Sequence, residues 1–157
     1  MKALILYYSY GGNTRRIAHM IKDKLNCDLW EIETVKKYSG NYNDVVEEGK
    51  REVDSGFTPE IKPVNIDLTD YDTIILGSPV WWYTFAPAMK TFLKQADIKG
   101  KKVYPFATNG GWIGHTLKDF ARECKGAEVH DGLNIKFNGK KLLTNESDII
   151  RWIENIK

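Results

Sequence analysis

The sequence predicts an α/β fold in which a parallel sheet is covered by helices on both faces. Three observations carry that expectation. Strand-like apolar runs alternate with segments of helical spacing, five times in succession. The run at 72–77 is apolar without alternation, as in a strand buried on both faces. Three loops of unusual composition, 9–14, 78–86 and 108–114, each follow a predicted strand. With right-handed crossovers, such loops gather at the carboxyl end of the strands, where ligands of these sheets bind.

Taken in order, residues 2–8 read as the first strand. Residues 13–25 carry Ile17, Ala18, Ile21 and Leu25 at helical spacing. Residues 28–34 alternate as a half-buried or edge strand does, with Glu31 and Glu33 on the solvated face. Residues 36–58 are polar. Asn43-Asp44 opens a modest surface helix there, ended by Gly56 and Pro59. Residues 59–70 are expected to cross the surface in extended form. The third strand is 72–77, and Pro87 suits the first turn of a helix over 87–96. The fourth strand is 102–107, weakened by Pro105. A helix then places Leu117, Phe120, Ala121 and Cys124 on one face. The fifth strand lies within 127–137. A last helix, capped by Thr144 or Asn145, turns Ile149, Ile150, Ile153 and Ile156 inward.

A length of 157 residues fits a single domain, 1–157, with a real core. The net charge of +2 points to neither nucleic acid nor a membrane surface as a partner. No apolar stretch of about 20 residues occurs. One lysine precedes the first strand, so no signal peptide is expected. Cys27 and Cys124 lack CxxC spacing, which fits buried filler thiols in a reduced, cytoplasmic protein.

The first loop, Ser9-Tyr10-Gly11-Gly12-Asn13-Thr14, joins a strand to a helix. A helix start leaves backbone N–H groups free and carries partial positive charge, which suits phosphate. Gly11 and Gly12 allow close approach. Ser9, Asn13 and Thr14 offer donors, and Asn13 or Thr14 is a candidate cap. Neither GxxxxGK[ST] nor GxGxxG is present. The expectation is a small neutral loop that holds one phosphomonoester by hydrogen bonds and helix dipole alone. The alternative is a tight turn with no ligand. The other two loops hold Trp81, Trp82, Tyr83, Phe85 and Trp112. Aromatics clustered in loops mark a binding surface. A phosphate grip beside flat aromatic walls describes a ligand with one phosphate and a planar ring, and FMN fits.

Together, Tyr8–Thr14, Gly77-Ser78-Pro79-Val80-Trp81-Trp82 and Thr108-Asn109-Gly110-Gly111 resemble the flavodoxin-like family over nearly the whole chain. The Pro-Val-Trp-Trp stretch resembles a less characterised branch of it. The resemblance implies a three-layer α/β/α sandwich with a five-stranded parallel sheet in order 2-1-3-4-5. It also implies FMN as cofactor. Ser9, Tyr10, Gly11, Gly12, Asn13 and Thr14 would bind the phosphate. Pro79, Val80, Trp81, Trp82 and Tyr83 would flank one side of the ring system, and Thr108, Asn109, Gly110, Gly111 and Trp112 the other.

The chain departs from typical flavodoxins in being slightly basic, which puts a generic acidic docking face in doubt. It also has no glycine in Trp82-Tyr83-Thr84. Non-glycine residues resist φ > 0, so weaker stabilisation of the one-electron-reduced flavin is expected. Stacked aromatics without nearby positive charge would lower the potential of the final electron. No acid–base dyad or metal cluster is evident, and His115 reads as a helix-surface residue. Electron transfer with redox partner proteins or a small planar acceptor is the favoured function, for a monomer or weak homodimer. An FMN-dependent NAD(P)H:quinone-type oxidoreductase and a non-redox binding domain are the alternatives.

Overall fold

Strand β1 (Ala3–Tyr8) lies inside the sheet with every residue buried, and it sorts its side chains by parity. Leu4, Leu6 and Tyr8 enter one core, while Ala3, Ile5 and Tyr7 enter the other. The computed structural model describes residues 1–157. After β1 come α1 (Asn13–Leu25), β2 (Asp28–Ile32), α2 (Tyr42–Ser55), β3 (Thr73–Trp81) and β4 (Thr84–Phe85). Then follow α3 (Pro87–Gln95), β5 (Lys102–Asn109), α4 (Thr116–Glu123), β6 (Glu128–Val129), β7 (Leu133–Asn138), β8 (Lys141–Leu142) and α5 (Glu146–Glu154). The sheet runs β2-β1-β3-β5-β7-β8, with β4 beside β3 and β6 beside β5. Its principal parallel strands therefore follow the expected 2-1-3-4-5 order.

Helices α1 and α5 cover one face through Ile17, Ile21, Ile149 and Ile153. Helices α3 and α4 cover the other through Met89, Phe92 and Phe120. Pro87 starts α3 as anticipated, because its fixed φ suits a first helical turn. Gly56 ends α2 in the left-handed conformation.

Several boundaries differ from expectation for identifiable reasons. Strand β3 continues through Ser78, Pro79, Val80 and Trp81, because it pairs with β5 as far as Pro79↔Thr108 and then with β4. The fifth strand is broken into β6 and β7. The break faces Pro105, whose missing N–H would otherwise leave a gap in a continuous ladder. Gly132 fits there because a Cβ on it would lie 2.8 Å from the Pro105 carbonyl oxygen and 2.6 Å from Leu117 Cδ2. Strand β2 ends at Ile32, and Thr34 instead bridges antiparallel to Ile61. Segment 59–70 is therefore tied to the sheet edge, and a 3-10 turn occupies Leu68–Asp70. Helix α2 is capped two residues earlier than read, by Asn41 in a reciprocal capping box with Asp44. Asn145 sits at the cap of α5 without a side-chain hydrogen bond. Ala121 is exposed; Thr116 and Asp119 are buried in its stead. Glu31 is not a purely solvated residue, since it accepts from Tyr7 Oη at 2.7 Å and pairs with Arg15 at 2.7 Å. Cys124 is buried, whereas Cys27 is half-buried.

Candidate functional site

The loop after β1 leaves the start of α1 open. Gly11 and Gly12 take φ of 83° and 100°, which few other residues tolerate. Gly12 occupies the cap position and supplies no side-chain hydrogen bond. Arg15 N–H reaches Ser9 Oγ at 3.2 Å, and the N–H groups of the turn before it have no intrahelical partner. Neither Asn13 nor Thr14 acts as a cap. Asn13 Nδ2 donates to the Gly139 carbonyl at 2.9 Å. Thr14 is buried, with its hydroxyl 2.8 Å from that of Thr108, which joins the first loop to the third.

The loop is not purely neutral, contrary to the reading of its own residues. The β7–β8 hairpin turns at Gly139-Lys140 and reaches back over it. A Cβ built on Gly12 would lie 3.6 Å from Lys140 Nζ, and one on Gly11 would lie 3.8 Å away. Arg16 donates to the Lys140 carbonyl at 3.2 Å. The expected lack of positive charge also fails at the aromatic wall, where Lys50 Nζ lies 5.7 Å above the Trp82 ring.

Between β3 and β4 the chain reverses through only Trp82 and Tyr83. Their φ values are 49° and 70°, as a two-residue hairpin with both central residues left-handed requires. The expectation that these residues resist φ > 0 is overruled. The left-handed region costs an L-residue about 1–2 kcal/mol, so neighbouring contacts must hold the turn. Trp82 Nε1 donates to the Val46 carbonyl of α2 at 2.9 Å. His115 N–H donates to the Tyr83 carbonyl at 2.8 Å. Gly114 lies against Tyr83 so closely that a Cβ would sit 2.5 Å from Tyr83 Cα. Thr84 Oγ1 donates to the carboxylate of Asp119, which is 2% exposed. Asp119 also pairs with His115 Nδ1 and, at 3.1 Å, with Arg122. His115 thus belongs to a histidine–carboxylate pair that sequence spacing alone did not bring out.

Trp81 packs into an aromatic wall. Its ring centroid lies 6.0 Å from Tyr8, 5.9 Å from Tyr10 and 4.9 Å from Tyr38. Gly49 of α2 leaves room for it, since a Cβ there would be 3.1 Å from the indole. Tyr10, Tyr42, Val45, Val46, Gly49, Val80, Trp81 and Trp82 enclose an apolar cleft of about 290 Å³. Burial pushes the Tyr8 and Tyr38 phenols up, and for Tyr38 the hydrogen bond to Glu52 at 2.5 Å adds to it. Both rings therefore stay neutral, and burial likewise raises Glu52.

The third loop leaves β5 at Thr108 and Asn109. Asn109 Nδ2 donates to Asn134 Oδ1 at 2.5 Å, and its own Oδ1 accepts from Gly111 N–H at 3.2 Å. Gly111 has open space around its α-carbon. Trp112 is 69% exposed, with its ring 4.9 Å from Tyr83. The fold thus brings Ser9–Thr14, Pro79–Tyr83 and Thr108–Trp112 to one end of the sheet. It adds Lys140, Asp119 and the apolar face of α2, which sequence reasoning missed. Asn138-Gly139 is a hairpin signal in the sequence, but nothing local shows where the tip lands.

The family model described as Flavodoxin matches residues 2–156. The structure is similar to that of a candidate flavoprotein from Bacteroides eggerthii, with a TM-score of 0.84 and 27% identity over 99% of this chain and 97% of that one. It is also similar to a flavoprotein from Lactobacillus acidophilus in complex with FMN, with a TM-score of 0.78 and 26% identity over 96% of this chain and 97% of that one. YcaK, an uncharacterized NAD(P)H oxidoreductase of Escherichia coli, is 25% identical over 91 residues, 55% of this chain and 46% of its own length. The chain spans about half the length of the curated relatives it matches.

Proposed function

The chain belongs to the flavodoxin family, and from that premise we propose that it binds FMN and serves as an electron-transfer flavoprotein. One observation carries the reading: the open first turn of α1 meets an aromatic hairpin and a glycine loop at the same end of the sheet. The donors present suit the group. Backbone N–H groups at Gly12–Thr14 and the hydroxyl of Ser9 would take the phosphate. Trp82, Tyr83 and Trp112 would face the ring system together, the last two with their rings 4.9 Å apart, and Trp81 would back them from its aromatic wall. Gly110 would present its N–H to the polar edge, and Gly111, whose N–H is held by Asn109 Oδ1, would leave open space beside it. FMN, when bound, supplies the redox chemistry, and the protein sets binding, orientation and potential.

Within this reading the strained Trp82–Tyr83 turn fixes which backbone groups face the ring. The exposed aromatic side chains of Trp82, Tyr83 and Trp112 give a redox partner protein or a small planar acceptor a contact surface. Two free thiols are consistent with a reducing, cytoplasmic setting.

A second reading, an FMN-dependent NAD(P)H:quinone-type oxidoreductase, is favoured by the apolar cleft between α2 and the hairpin, which has room for a planar substrate. The similarity to YcaK points the same way. Anaerobic titration of the flavin-loaded protein with NAD(P)H separates the two. A carrier keeps its visible absorbance until a separate reductase is added, whereas an enzyme bleaches at once. A protein that is colourless and cannot be reconstituted with FMN would be a non-redox binding domain.

A further inference from the structure

We infer that Lys140 is the counter-charge for the ligand's phosphate and makes the site select a phosphorylated flavin over the bare one. The inference rests on the FMN reading above and adds to it a residue from the far end of the chain.

Lys140 Nζ lies over Gly11 and Gly12, the two residues whose φ values open the loop toward a ligand. The hairpin tip is fastened there by the helix it covers, through Asn13 Nδ2 to the Gly139 carbonyl and Arg16 to the Lys140 carbonyl. Gly139 itself takes φ 59°, as the first residue of a tight hairpin turn commonly does.

Lys140 takes part in none of the chain's ion pairs. The first turn of α1 holds no acidic residue. A cation therefore rests against the positive end of a helix dipole, an arrangement that is unfavourable by itself. A phosphate dianion between them would satisfy both the ammonium and the open N–H groups. Charge-assisted hydrogen bonds of this kind are stronger than neutral ones, and their strength falls with added salt when exposed.

The test titrates FMN and riboflavin into the full chain and into Lys140→Met and Lys141→Met, following flavin fluorescence at low and high ionic strength. Lys141→Met removes the same charge one residue farther along the hairpin. The expected result is about a tenfold loss of FMN affinity in Lys140→Met, the size of one charge-assisted hydrogen bond at an exposed site. Riboflavin affinity stays unchanged, Lys141→Met has a smaller effect, and salt weakens FMN binding more in the unmodified protein than in Lys140→Met. Equal FMN binding by the unmodified protein and Lys140→Met overturns the role of the lysine and leaves the FMN reading standing. An equal loss of both flavins in Lys140→Met also overturns it, because the loop and not the charge would then be at fault. If the unmodified protein binds neither flavin, the FMN reading falls and the lysine's role with it.

Discussion

Replacing Asp119 by alanine removes the carboxylate that secures the Trp82–Tyr83 turn to α4. The carboxylate is 2% exposed and takes hydrogen bonds from Thr84 Oγ1, His115 Nδ1 and Arg122. The Thr84 bond, from a half-buried hydroxyl to a charged acceptor, is worth about 1.5–3 kcal/mol. The Arg122 pair joins residues three apart on the helix with its guanidinium largely in water, so it adds only about 0.3–0.5 kcal/mol. The His115 bond also has an exposed partner and contributes about 0.5–1 kcal/mol. Together these give a loss of about 3 kcal/mol. Urea unfolding measures it directly, and in a chain of this size it lowers the Tm by about 6–12 °C. Asp119→Asn, which keeps an oxygen acceptor for Thr84, should lose roughly half as much. The variants should also bind FMN more weakly, because the left-handed turn loses part of what holds it. An Asp119→Ala protein within about 0.5 kcal/mol of the unmodified one would refute the reasoning, since that is the range of an ordinary surface change.

Three further expectations follow from particular contacts. Gly77→Ala places a Cβ 2.1 Å from Cζ of the fully buried Phe106 ring, so unfolding experiments should show a loss of about 1–3 kcal/mol or more. Burial alone would raise the Glu31 carboxyl, but hydrogen bonds from Arg15 and Tyr7 outweigh it and hold the group below its ordinary value. Its contribution is therefore present above the unfolded value of about 4.3 and disappears as pH falls through the folded one. Glu31→Gln should be less stable than the parent at neutral pH, and the gap should narrow progressively in urea melts as the pH falls below about 4.3. Burial, helped by Glu123, pushes the Cys124 thiol up to about 12. At pH near 8 an alkylating reagent should modify it only after denaturation, and mass spectrometry of the native digest would reveal any earlier labelling.

Much of this architecture is written in local pattern. Helix α1 begins and ends at the residues its apolar spacing indicates, and Pro87 marks the start of α3. The 2-1-3-4-5 order follows from alternation and handedness together with the family resemblance. The misreadings have a common cause. Ser78-Pro79-Val80-Trp81 has the composition of a loop, yet β5 on one side and β4 on the other keep it extended. Trp82-Tyr83 lacks the Gly or Asn that usually marks a hairpin turn, so tertiary contacts from Val46, His115 and Asp119 impose a conformation that local propensity opposes. Asp119 reads as a polar helix residue until Thr84 and His115 are seen to converge on it. Lys140 is the extreme case, because its partner loop lies near the opposite end of the chain. The cleft beside Trp81 depends on α2, whose polar sequence suggested only a surface helix. Its small residue Gly49 is the local sign that something large packs there.

The central claim is that this end of the sheet binds FMN. Equimolar FMN added to the purified protein, followed by gel filtration and a visible absorption spectrum, tests it most directly. The account predicts flavin absorbance travelling with the protein and quenched fluorescence. Colourless protein, with all flavin recovered in the small-molecule fraction and its fluorescence undiminished, would contradict it.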